Sequence, residues 1–282
     1  MTDTSKAVVE SADMRETDRE FAGSIPETYD RYLGPLLLEP YARDLAIRLA
    51  ALAPSRVLET AAGTGVATRA LVRALPAGTA VVATDLNRPM LDLAAARMET
   101  AEVTWQQADA LALPFGDGAF DAVACQFGAM FFPDKAAAYR EAGRVLRPGG
   151  RLVLSVWDRI GRNELAHVVD GALAAQFPED PPRFLARVPY GYHDADAIID
   201  ELRAAGFVEV AVETVARRGR APSPLHAAVG FCQGTPLRAE IEARAPGRLG
   251  GVTDEAARVV AARFGDGPVD SGMQAHVVVA TR

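Results

Sequence analysis

Apolar residues in this chain gather into short runs separated by helix-length stretches. Val57-Leu58 after Arg56, Ala80-Val81-Val82-Ala83-Thr84, Val103-Thr104-Trp105-Gln106, Phe120-Asp121-Ala122-Val123-Ala124-Cys125 and Arg151-Leu152-Val153-Leu154-Ser155-Val156 each predict a strand. Between the first two, Val66, Ala70, Leu71, Ala74 and Leu75 recur at helical spacing. Asp134 to Val145 predicts a further helix before Leu146-Arg147-Pro148-Gly149-Gly150. Strands alternating with helices in this way predict an α/β protein with a mainly parallel sheet and helices on both faces.

The flanks read differently. Residues 1 to 20 are polar and acidic and predict a mobile tail, with one domain over 21–282. Leu38, Tyr41, Ala42, Leu45, Leu49 and Leu52 lie on one face of a helix, so 21–53 predicts a helical cap ahead of a core at 54–157. After that core, 158–282 predicts a lid and C-terminal part. Trp157 to Phe177 reads as mostly helical, and Pro178, Pro181 and Pro182 break the pattern. A helix opening at Asp194 and closing at Ala205-Gly206 follows, with Asp194 as N-cap. Phe207 to Ala216 alternates as a sixth strand, and Ala275 to Ala280 is the candidate seventh. Helical stretches between them, about 222–271, predict an insertion over the strand ends.

The candidate chemistry sits at the turn after the first strand, Glu59-Thr60-Ala61-Ala62-Gly63-Thr64-Gly65. Small residues at a strand-to-helix turn let a ligand approach the backbone closely. Asp85 stands at the tip of the next strand, and a carboxylate can accept from two neighbouring ribose hydroxyls. Together they predict a nucleoside-cofactor site at the carboxyl ends of parallel strands. A dinucleotide fingerprint would place a third glycine where Thr68 stands. Glu59 would oppose a pyrophosphate but tolerates a cofactor carrying positive charge. The plainer alternatives are tight turns for Gly63 and Gly65 and helix caps for Asp85 and Asp109.

With Ala108-Asp109-Ala110 after the third strand and Gln126-Phe127-Gly128 after the fourth, this succession resembles the class I S-adenosylmethionine-dependent methyltransferases. Within them it is similar to the small-molecule branch that includes the ubiquinone and menaquinone methyltransferases, over roughly residues 26 to 160. The resemblance implies a Rossmann-like seven-stranded sheet with an antiparallel last strand, and S-adenosylmethionine as cofactor. It implies that Glu59, Ala61, Gly63 and Gly65 face the amino-acid and ribose parts, and that Asp85 holds the ribose hydroxyls. Leu86 and Met90 would lie beside the adenine. Asp109 would accept from the adenine amino group, the Ala110 backbone would face the ring, and Gln126 and Phe127 would lie under the methionine arm. Tyr29, or Tyr32, would fold across the cofactor. The family often has glycine where this chain has Ala61, so the turn must tolerate a β-carbon. The implied activity is methyl transfer to a small apolar or aromatic metabolite. An NAD(P)-dependent oxidoreductase and a non-catalytic cofactor-binding subunit are the alternatives.

Charge and composition narrow the classes. The formal charge of −7 argues against a broad basic surface for nucleic acid, and Arg217, Arg218 and Arg220 predict a solvated loop. Gln126-Phe127-Gly128-Ala129 also differs from the Asn/Asp-Pro-Pro-aromatic motif of the family's DNA adenine branch. Cys125 and Cys232 lack the spacing of a zinc site and fit a reducing cytoplasm, and no metal is expected. No charge-free apolar run is long enough to span a bilayer. Oligomeric state, including a homodimer, stays open. For a general base the chain offers His193, beside Asp194, and His167 on the lid helix, although a histidine so placed is more often a surface or capping residue. Phe127, Met130, Phe131 and Phe132 form an aromatic-rich cluster that walls a substrate or packs the next helix.

Overall fold

A computed structural model describes residues 14–98 and 102–282. Its frame is one seven-stranded sheet: β1 (Arg56–Glu59), β2 (Ala80–Asp85), β3 (Val103–Gln107), β4 (Phe120–Gln126), β5 (Leu146–Trp157), β6 (Glu209–Ala221) and β7 (Val269–Thr281). The order is β3-β2-β1-β4-β5-β7-β6. β1 to β5 pair in parallel, and β7 runs antiparallel to both β5 and β6. The expected seven-stranded sheet with an antiparallel last strand is what the chain forms. The order reverses at β1 and β4, and the carboxyl ends of β1, β2 and β4 meet there, which is where such sheets bind ligands.

Helices α1 (Ile25–Thr28), α2 (Glu39–Ala50), α3 (Val66–Ala74), α4 (Arg88–Arg97) and α5 (Lys135–Val145) accompany the parallel half. α6 (Glu164–Gln176), α7 (Phe184–Arg187) and α8 (Ala195–Ala204) follow β5, and α9 (Pro224–Gln233), α10 (Leu237–Arg244) and α11 (Leu249–Phe264) lie between β6 and β7. Asp194 caps α8 as expected, accepting from Asp196 N and Ala197 N at 3.0 and 3.2 Å. Gly206, at φ +100°, ends it in a conformation that favours glycine. The lid helix begins later than the apolar pattern implied, at Glu164, because Trp157 still belongs to β5.

Three sequence readings change. First, β6 runs to Ala221 instead of stopping at Ala216, so Arg217, Arg218 and Arg220 lie in a strand and not in a loop. Asp44 accepts from Arg217 at 2.8 Å, and Asp270 of β7 pairs with Arg218 and Arg220, so each arginine of the cluster has an acidic partner where it stands. The hairpin of β6 and β7 therefore extends past the end of β5 and carries the helical insertion with it. Second, residues 14–20 are not a free tail. Asp18 is 2% exposed, held by ion pairs to the lid, while residues 1–13 lie outside those described. Third, the predicted cap helix is wide at its start. Tyr29–Leu38 forms a π-helix with Pro35 inside it, and proline removes an N–H that a tighter helix would use.

That wide turn is wedged tightly. A β-carbon on Gly230 of α9 would stand 2.7 Å from Leu33, and one on Gly219 of β6 would stand 2.7 Å from the Leu36 carbonyl. The close approach directs Tyr29, Leu33 and Leu37 toward the strand ends. His276 sits in β7, with Thr214 Oγ1 2.9 Å from its Nδ1 and Asp158 3.6 Å from its Nε2.

Candidate active site

The turn after β1 is stitched to its neighbours. Thr60 N donates to Ala124 O of β4, and Ala62 N donates to Thr84 O of β2, both at 2.9 Å. Gly63 N donates to Asp85 Oδ2 at 2.8 Å. Three residues in five take positive φ: Ala61 at +52°, Gly63 at +56° and Gly65 at +77°. Only Ala61 pays the steric cost of a β-carbon there. Its β-carbon also explains a glycine farther on: a β-carbon at Gly128 would lie 2.4 Å from that of Ala61. Gly128→Ala is expected to cost roughly 1–3 kcal/mol through overpacking. Ala61→Gly should recover part of that loss, since the nearest remaining contact would be Cys125 Sγ at 3.0 Å. Denaturant unfolding of the two single variants and the double variant checks this, and strict additivity would contradict it.

A cleft of about 910 Å³, mouth included, opens beside this turn. The sequence-derived residues Tyr29, Glu59, Ala61, Gly63, Asp85, Leu86, Met90, Asp109, Ala110, Gln126 and Phe127 all line it. Gly65 does not. It caps α3, and a β-carbon there would stand 3.0 Å from Trp105 and 3.1 Å from Ala94, so its place is helix-to-sheet packing. Sequence reading missed Arg19, Phe21 and Asn87, which also line the cleft. Phe21 N donates to Asn87 Oδ1 at 3.2 Å, which ties the N-terminal segment to the tip of β2. The Phe21 ring stands edge-on to Tyr29 and to Phe131, at 5.7 Å from each. Phe21 marks the change from polar to apolar character in the sequence; nothing there marked Arg19.

Most polar groups of the cleft are acceptors with capacity to spare; the exception is Arg19, whose Nε is buried without a partner among the described residues. Asp85 is buried; Oδ2 accepts from Gly63 N, and Oδ1 accepts from Asn87 N at 2.8 Å. Each carboxylate oxygen retains a second lone pair. Burial raises the Asp85 pKa, and the backbone N–H groups of Asn87 and Gly63 oppose the rise. Glu59 is 1% exposed, and its Oε2 has no hydrogen-bond partner among the described residues. Burial pushes the Glu59 carboxyl up to about 8; Thr68 and Arg69 oppose this, and Asp85 adds to it. Gln126 Nε2 donates to Leu38 O at 2.9 Å, which leaves its buried Oε1 without a donor. Asp109 Oδ1 accepts from Leu111 N at 2.9 Å, in a short turn that closes the cleft. Buried acceptors left without donors suit a ligand that brings donors and positive charge.

A second cavity of about 470 Å³ adjoins the first. Phe21, Tyr29, Leu38, Phe127 and Phe131 line both. The second is otherwise apolar, walled by Trp157 of β5, Phe184 of α7 and Phe231 of α9 among others. Phe127 and Trp157 stack with centroids 3.8 Å apart and planes 5° apart. Of the cluster after β4, Phe127, Met130 and Phe131 line this cavity, and Phe132 lines the cleft. Neither candidate histidine reaches either cavity. His167 is exposed on α6, and the carboxylate of Asp194, beside His193, is engaged in capping α8. Among the described residues no group of three His, Cys, Asp or Glu could hold a metal ion, and no helix is long and apolar enough to cross a membrane.

A Rossmann-like seven-stranded sheet with a cleft at the carboxyl ends of β1, β2 and β4 is the arrangement of the class I methyltransferase fold. The sequence matches the methyltransferase domain family over residues 58–154. It is 48% identical to the demethylmenaquinone methyltransferase of Thermus thermophilus over 115 residues, which are 40% of this chain and 50% of that protein. It is 36% identical to that of Mycolicibacterium vanbaalenii over 169 residues, which are 56% of this chain and 71% of that protein. The chain thus spans about half the length of the Thermus relative. In three dimensions it is similar to Haemonchus contortus phosphoethanolamine N-methyltransferase 2, with a TM-score of 0.58 and 19% identity, over 94% of this chain and 59% of that one. The chain belongs to the class I S-adenosylmethionine-dependent methyltransferases and, within them, resembles the quinone methyltransferases.

Proposed function

We propose that the chain transfers a methyl group from S-adenosylmethionine, held in the cleft, to a small apolar aromatic acceptor of the quinone type, held in the adjoining cavity. The observation that carries this reading is the pair of abutting cavities, one lined by buried carboxylates and the other almost wholly apolar. The cofactor fits the donor-poor cleft: Glu59 Oε2 and Gln126 Oε1 take its ammonium, and Asp85 takes its ribose hydroxyls. Met90, Leu86, Asp109 and Ala110 take its adenine. Two buried carboxylates make a poor seat for a pyrophosphate, which disfavours the dinucleotide alternative.

When bound, the cofactor supplies a methyl carbon activated by an adjacent sulfonium. The chain's own part is to align and to exclude water. Phe21, Tyr29 and Phe131 form the wall between the cavities, and Phe127, braced by Trp157, fixes the common edge. Alignment of this kind contributes about 7–11 kcal/mol in favourable cases. The test is an acceptor screen by mass spectrometry with purified protein and demethylated quinols. The reading expects gain of one methyl group with matching formation of S-adenosylhomocysteine; no product with any such acceptor would count against it.

A pH dependence follows from Glu59. In the free protein its carboxyl, pushed up to about 8, is protonated at lower pH. A cation bound beside it favours the ionised form, so binding releases a proton below that pH. Affinity for S-adenosylmethionine should therefore rise with pH from about 6 to about 8, by at most about tenfold per unit. Glu59→Gln should flatten the slope. Calorimetry in buffers of different ionisation enthalpy reads the released proton directly, and equal slopes in both proteins would refute the role given to Glu59.

A further inference from the structure

Tyr190 lies in the segment between α7 and α8. It is 3% exposed and lines the apolar cavity, with its ring 5.9 Å from that of Trp157. Its hydroxyl has no hydrogen-bond partner among the described residues. The neighbouring hydroxyls are engaged: Tyr41 donates to Val215 O at 3.0 Å, and Thr235 donates to Phe231 O at 2.8 Å and accepts from Leu237 N at 3.3 Å. Tyr29, which lines both cavities, is the other hydroxyl there without a protein partner. Neither hydroxyl is among the enclosed polar atoms of the described residues, and both residues line the cavity, so each has a donor free for a ligand oxygen held there.

The same cavity contains no Asp, Glu, His, Lys, Arg or Cys among its lining residues. Burial raises the pKa of both Tyr29 and Tyr190 well above the ordinary phenol range. Near neutral pH both tyrosines are donors, and nothing that lines the cavity can take up a proton.

We propose that Tyr190, together with Tyr29, donates a hydrogen bond to an oxygen of a planar apolar acceptor that carries its own acidic hydroxyl. This rests on the methyl-transfer reading only for the identity of the second ligand. The acceptor's hydroxyl gives its proton to water before transfer. The electron pair released on that oxygen, or on the ring carbon conjugated to it, forms the new bond to the methyl carbon. The carbon–sulfur bond breaks with its electrons on sulfur, so the acceptor's negative charge and the sulfonium's positive charge disappear together. Where ring carbon attacks, the proton it carried then leaves to water. No protein base enters at any point.

The test compares two probes of one shape, 2-naphthol and 2-methylnaphthalene, titrated by fluorescence into the wild-type protein and Tyr190→Phe without cofactor. Phenylalanine keeps the ring against Trp157 and removes only the hydroxyl. The expected result is a roughly five- to tenfold loss of 2-naphthol affinity, with 2-methylnaphthalene changed by less than about twofold. Equal losses for both probes would show a packing role, and unchanged 2-naphthol affinity would show no contact. Either result, or failure of both probes to bind the wild type, overturns the proposal. S-Adenosylmethionine affinity measured alongside separates the two ideas: a wild type that discriminates the probes through Tyr190 yet binds no cofactor would count against the methyl-transfer reading alone.

Discussion

Replacing Asp85 with alanine is expected to weaken S-adenosylmethionine binding by about a hundredfold. A hydrogen bond to a charged group contributes about 1.5–3 kcal/mol, and the ribose offers two hydroxyl donors. Part of that gain is offset because the ionised carboxylate is buried and held above its ordinary pKa in the free protein. A net loss near 3 kcal/mol corresponds to about two powers of ten in affinity. Alanine also releases Gly63 N and Asn87 N, which Asp85 now holds at 2.8 Å each, so the turn after β1 loses one of its ties to β2 and keeps the bond from Ala62 N to Thr84 O. Asp85→Asn keeps one acceptor oxygen and should fall between the two. Titration calorimetry measures all three proteins; affinity in the alanine variant within about threefold of wild type would remove the ribose from this position.

Arg187→Met is expected to lower the unfolding free energy by about 3–5 kcal/mol, because it breaks a buried ion network from one side. The guanidinium donates to Asp18 Oδ2 at 2.5 Å, to Asp18 Oδ1 at 2.8 Å and to Glu240 Oε1 at 2.9 Å. The side chains of Arg187, Asp18 and Glu240 are 15%, 3% and 8% exposed. Glu240 Oε2 meanwhile accepts from Arg183 N at 2.7 Å and from Phe184 N at 3.3 Å, at the start of α7. Removing the cation leaves Asp18 and Glu240 out of water with only the more distant Arg15, 3.5 Å from Glu240, to offset their charge. The network joins α7, α10 and the segment that brings Arg19 and Phe21 to the cleft, so cofactor affinity should fall as well. Urea unfolding gives the first quantity. A change under about 1 kcal/mol would show that the three charges are solvated.

The parallel half of the fold was legible because buried parallel strands are nearly continuous apolar runs with polar ends. Ala80 to Thr84 followed by Asp85 is the whole of β2, and Phe120 to Cys125 is β4 without its last residue. The cleft was legible for a related reason: its acids stand at strand tips, one turn from glycines, and local spacing fixes them. What escaped the sequence depends on partners far along the chain. Arg217 and Arg218 look like a loop until Asp44 and Asp270 are placed beside them. Asp18 looks like part of a polar tail until Arg187, 169 residues away, closes on it. The wide turn at Tyr29–Leu38 carries no periodic signal of its own, since its apolar residues fit ordinary helical spacing nearly as well. The apolar cavity draws on the N-terminal cap, the turn after β4, β5, α7 and α9, and no local spacing singles out Tyr190 among them. His167 and His193 drew notice for their chemistry, yet helix direction and capping keep both out of the cavities.

A crystal structure of the protein grown with S-adenosylhomocysteine tests the central claim most directly. The account predicts the ribose hydroxyls on Asp85, the amino group between Glu59 and Gln126, and the sulfur facing the wall formed by Phe21, Tyr29 and Phe131. Clear density for the ligand at any other place, or a cleft that stays empty at saturating ligand, would contradict it.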